Sequence, residues 1–132
     1  MGLKEKRLAE DIKSTKVVEV LKTLETTVGY PLQLDIDWDS FTAYDEYALT
    51  RLRDSFFRDL LEGIRLVAKD QMGKDALKSA VQTIKIVCTD DPKGAKMELL
   101  PDKVFSFVIQ TAGSNFSFAS ASKMRDYLEK NL

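Results

Sequence analysis

The hydrophobic period of this chain changes at Gly29–Pro31, and that change limits the folds open to it. Before it, Leu8 and Ile12 share one helical face, and Val17, Leu21, Leu24 and Val28 continue at steps of three and four. That spacing predicts a helix over residues 3–28. Ser14 and Thr15 are expected to bend or break it, because their hydroxyls compete for backbone hydrogen bonds. Gly29 suits a left-handed cap, and Pro31 cannot continue a helix. After the stop, Leu32, Leu34, Ile36 and Trp38 alternate with Gln33, Asp35 and Asp37. Period two predicts a strand at 31–38 with one buried face and one acidic, wet face.

The helical period returns at 43–69. Thr42 is the expected N-cap, with Asp45 three residues on as in a capping box. Leu49, Leu52, Phe56, Leu60, Ile64 and Val67 form the apolar stripe, widened by Phe57 and Leu61. Gly63 inside this helix suggests a close crossing with another element. A short helix is expected at 74–82. Strands follow at 84–89, 95–100 and 103–110, with a fourth short one at 115–119. Asp90 to Gly94 and Pro101-Asp102 are turns. Ser120 or Ser122 caps a last helix carrying Met124, Tyr127 and Leu128. Consecutive strands with short turns predict an antiparallel meander. The expected fold is therefore α+β, one domain over residues 1–132. Its meander has three to four strands plus the earlier strand at 31–38, packed against three to four α-helices.

Composition narrows the function. The 132 residues include 20 Lys and Arg against 21 Asp and Glu, for a net charge of −1. Such a balance does not favour nucleic acid as a partner. There is no His and one Cys, Cys88, so histidine-based triads, Cys-His pairs and histidine zinc sites are excluded. Cys88 sits in an apolar strand and reads as a structural thiol. No apolar run approaches a membrane span, and no signal-like segment precedes the first helix. The expectation is a cytoplasmic protein with no membrane partner. Arg51, Arg58 and Arg65 recur every seven residues but have acids three or four positions away, so they read as a solvated face. Phe105, Phe107, Phe116 and Phe118 lack interleaved bases and read mostly as core.

One segment is left for ligand chemistry. Residues 31–46 hold five acids, Asp35, Asp37, Asp39, Asp45 and Glu46, and no Lys or Arg. Asp35, Asp37, Asp39 and Glu46 match positions 1, 3, 5 and 12 of an EF-hand loop, and the Phe41 carbonyl falls at position 7. A hard Ca²⁺ ion needs that many oxygens from a wrapping loop. The pattern departs at position 6, where Ser40 replaces the usual Gly, and the approach is a strand rather than a helix. A carboxylate- or metal-dependent hydrolase is a further reading, but no phosphate loop or convergent base accompanies the acids. With no visible nucleophile and base, the sequence favours a non-catalytic module for protein interaction or regulation. Its acidic patch at 35–46 would meet a basic protein partner, as an immunity-type inhibitor does by analogy. It needs no cofactor, with Ca²⁺ as the alternative.

Overall fold

A computed structural model describes residues 2–44, 46–111 and 118–132. Helix α1 spans Leu3–Ser14 and α2 spans Lys16–Val28. The expected single helix is broken at Thr15, which has φ −119° and ψ −70°. The Thr15 hydroxyl donates to the Asp11 carbonyl at 2.7 Å, and Ser14 donates to Glu10 at 2.9 Å. The break lets Ile12 and Val20 both reach the core. Gly29 ends α2 in the left-handed region at φ 82°, as the stop signal requires.

Strand β1 covers Gln33–Ile36, and α3 covers Trp38–Thr42. Thr42 is thus the last residue of α3, buried, and not the N-cap of the long helix. The expected capping partner Asp45 lies outside the described residues. Helix α4, Glu46–Arg51, runs through a π-helical turn at Leu52–Phe56 into α5, Phe57–Val67. In a π turn the i→i+5 bond absorbs one extra residue. Leu52 and Phe57 therefore share the face continued by Leu60, Ile64 and Val67, and Phe56 is buried beside them.

Helix α6 is Gln71–Ala80, and strands β2, β3 and β4 are Thr83–Thr89, Lys96–Leu100 and Val104–Gln110. Helix α7 is Ala121–Asn131, capped by Ser120, whose hydroxyl accepts the Lys123 N–H at 3.4 Å. The expected strand at 115–119 lies mostly outside the described residues, and Phe118 and Ala119 are not in a strand.

The sheet is mixed, with strand order β1-β2-β4-β3. β1, β2 and β4 run parallel, and only β3 is antiparallel to its neighbour β4. This corrects the expected antiparallel meander. The physical reason lies in two features. The connection between β2 and β3 runs over residues 90–95, long enough to cross two strand spacings of about 4.8 Å each. That leaves a slot beside β2 for β4. The slot goes to the more apolar strand: VFSFVIQ sits inside, and KMELL, with two charges, takes the edge. Asp102 and Lys103, at φ 60° and 61°, turn β3 sharply into β4.

Ile84, Ile86 and Cys88 on β2 and Phe105, Phe107 and Ile109 on β4 point to one buried face. Their alternates are exposed or half-buried, apart from Gln110 at the strand end, so the helices cover that one face. Phe56 meets Phe107 edge-on at 5.1 Å and Phe118 at 5.5 Å, while Phe105 lies 4.5 Å from Phe107. Each fully buried aromatic of this kind contributes roughly 1.5–3 kcal/mol by area alone. Gly63 fulfils the expected close crossing: a Cβ there would stand 2.9 Å from Met124 Cβ on α7.

Candidate functional site

The acidic segment begins on β1. Asp35 is exposed on the open face of the sheet, directly across from Lys85 on β2. Asp37 follows the last strand residue, and its N–H still pairs with the Ile86 carbonyl at 2.9 Å. Its carboxylate then accepts the Ser40 N–H at 3.2 Å and caps α3. A short polar side chain at that place turns a strand into a helix within one residue.

Ser40 explains itself in this geometry. Its hydroxyl accepts the Cys88 N–H at 2.9 Å and donates to the Asp37 carbonyl at 2.6 Å. A longer β1 would have joined Cys88 N–H to Asp37 carbonyl directly. The hydroxyl bridges the gap where the strands diverge.

Asp39 lies in the first turn of α3 and shares a shallow cleft with Trp38 and with Lys6 and Lys13 of α1. Glu46 opens α4 and pairs with Lys4 of α1 at 2.7 Å. Asp45 lies outside the described residues. The four EF-hand positions are thus spread over a strand, a cap, a helix turn and a second helix. Among the described residues, no group of three or more His, Cys, Asp or Glu side chains is placed to hold a metal ion.

The structure adds two acids whose sequence context points only to a turn. Asp90 and Asp91 are exposed just past the end of β2. Tyr44 lies against Asp90, and desolvation first, then the Asp90 charge, push its phenol above the ordinary range. Asp37 thus follows the carboxyl end of β1, and Asp90 and Asp91 that of its parallel neighbour β2, while Asp39 lies in the first turn of α3. Such ends are where open sheets with parallel strands usually present their sites. A sequence signal existed: Asp90-Asp91 ends a strand with the same period as 31–38. Only parallel pairing brings the two strand ends together.

The tertiary structure also brings bases. Lys4, Lys6 and Lys13 come from α1 and Lys85 from β2, so the segment is less isolated in space than in sequence. Other ion pairs between described residues, such as Arg53–Asp54 and Arg65–Glu62, join residues within three positions of one another. Lys4–Glu46 is a long-range one.

Elsewhere the chemistry is muted. Burial first, then Asp90, push the Cys88 thiol up to about 12, so it holds its proton at neutral pH. A cleft of about 620 Å³ runs between α2 and the α4–α5 helix. Arg53, Arg58 and Arg65 line it, because the π turn rotates Arg51 out of the seven-residue series. Hydrogen bonds from Arg53 hold the Asp54 carboxyl below the usual range, and those from Arg65 do the same for Glu62. These guanidinium groups already have partners. Among the described residues, no helix is long and apolar enough to cross a membrane. Compared with family models, with curated proteins and with solved structures, the chain matches none significantly.

Proposed function

We propose that this protein is a non-catalytic interaction module that presents an acidic end to a basic protein partner. The observation that carries this reading is that exposed Asp37 and exposed Asp90 and Asp91 follow the carboxyl ends of neighbouring parallel strands β1 and β2, with exposed Asp39 in the helix turn just beyond. Asp35 extends the same acidity onto the open sheet face. A patch of one sign steers an oppositely charged partner and sets its orientation, more than it sets the final affinity. Lys4 and Glu46 belong to the docking of α1, so Glu46 is a weaker contact than the aspartates. The high thiol pKa of Cys88 fits a role without nucleophilic chemistry.

The test compares wild type with a variant carrying Asp35→Asn, Asp39→Asn, Asp90→Asn and Asp91→Asn. Asp37 is retained because it caps α3. Proteins retained by wild type are purified and their binding measured across a salt series. A basic partner lost by the variant, with affinity falling as salt rises, supports the reading. Retention of the same partners by the variant overturns it.

A further inference from the structure

The two edges of the sheet differ. On β3 the Leu99 N–H points outward and is taken by the Tyr127 hydroxyl of α7 at 2.8 Å. That ring also stacks on Phe105, 6.2 Å between centroids at 2°. A tyrosine thus covers the β3 edge. On β1, Gln33 and Asp37 turn their N–H groups toward β2, bonding Gln82 and Ile86. The alternate residues Leu34 and Ile36 must then direct their N–H and C=O groups away from the sheet. No described residue accepts those two N–H groups.

We infer that the free edge of β1 receives an extended segment of the partner as a fifth strand, one that sets a basic residue between apolar ones. This rests on the acidic-end reading and names how that end is engaged. Backbone bonds to Leu34 and Ile36 supply the docking, and alternate side chains supply the selectivity, as in strand addition generally. The pattern follows from the register. Asp35 lies on the open face between neutral Gln33 and the α3 cap Asp37, so the incoming residue beside it is Lys or Arg. Leu34 and Ile36 share the helix-covered face with Ile84 and Ile86, so the residues flanking it are apolar. A second copy of this chain fits poorly. Antiparallel pairing through β1 sets the acids of one copy against those of the other, and like charges opposite one another destabilise a strand pair.

The probe is an eight-residue peptide of alternating lysine and valine, with blocked ends, added to the full chain. Amide exchange is followed residue by residue by NMR. The expected result is new protection at the Leu34 and Ile36 amides, with no gain at Gln33 or Asp37. The glutamate–valine counterpart binds at least about tenfold more weakly. A lysine–valine peptide methylated on alternate backbone nitrogens fails to protect either residue. Asp35→Asn, an exposed change that leaves the fold intact, weakens the lysine peptide several-fold.

Binding of the lysine peptide near Asp90 and Asp91 without protection of Leu34 and Ile36 overturns the strand-addition inference and leaves the acidic-end reading standing. Equal binding of the methylated peptide overturns it too, as does a dimer of the free protein that protects the same two amides. Absence of any binding by the lysine peptide counts against both readings.

Discussion

The Ser40 hydroxyl occupies the place of a strand rung, accepting the Cys88 N–H at 2.9 Å and passing its own hydrogen to the Asp37 carbonyl. Strand β2 extends beyond β1, and this one side chain closes the difference. Cys88 is buried, so its N–H has poor access to water. Ser40→Ala leaves that donor unpaired and is expected to cost about 1–3 kcal/mol. Ser40→Thr, which keeps the hydroxyl, is expected to recover most of the loss. Urea denaturation of the three proteins measures both. Equal stability of wild type and Ser40→Ala contradicts the assignment.

Gly73 and Gly63 make a contrasting pair. At Gly73 a Cβ would collide with the Val67 carbonyl oxygen, a backbone atom at the end of α5. At Gly63 the nearest atom is Met124 Cβ at 2.9 Å. Backbone at a helix end moves only with the helix, whereas Met is an adaptable side chain. Both alanine variants are expected to destabilise, by roughly 1–3 kcal/mol for overpacking. Gly73→Ala should fall at or beyond the upper end, and Gly63→Ala lower. Thermal melts rank them, and the reverse order refutes the argument.

Alkaline pH should destabilise this protein through buried Cys88 and half-buried Tyr30. Burial pushes Cys88 up to about 12 from 9.0, and Tyr30 up to about 12 from 10.0. The Tyr30 hydroxyl donates to the Val81 carbonyl at 2.7 Å, so its proton is also structural. A raised folded-state pKa means the native state holds the proton more tightly than the unfolded chain. The stabilisation is complete below pH about 9 and declines as pH rises toward 12. Denaturation midpoints between pH 8 and 11 test this. Cys88→Ala with Tyr30→Phe should flatten the decline, and an unchanged slope would exclude these groups as its cause.

Calcium should have no effect. Asp37 caps α3, Glu46 pairs with Lys4, and Asp35 faces Lys85, so these carboxylates answer to different partners. Trp38 sits among them and reports on the segment. Its emission and the melting temperature are expected to stay constant up to millimolar Ca²⁺. A saturable change in either would show that residues 35–46 can refold around the ion.

The sequence by itself marked most of the elements, but it missed α3 and the π turn and ran β1 on into α3. Period, Gly29, Pro31 and the Ser14-Thr15 pair located α1, α2 and the start of β1, and Gly63 announced a close crossing whose partner, α7, the tertiary structure supplied. These signals are local: each depends on a residue and its neighbours within one or two turns. Tertiary structure decided the pairing. The alternation of β2, β3 and β4 is the same whether they form a meander or place β4 between β2 and β3. Only competition for the apolar centre of the sheet selects between them. The candidate site shows the same division. The acids at 35–46 were legible as a run of charge, but that Asp37 and Asp90-Asp91 follow the ends of neighbouring strands, and that Lys4, Lys6, Lys13 and Lys85 lie near Glu46, Asp39 and Asp35, depends on parallel pairing and on where α1 packs. A charge's neighbours in space are set by packing, which no local period records.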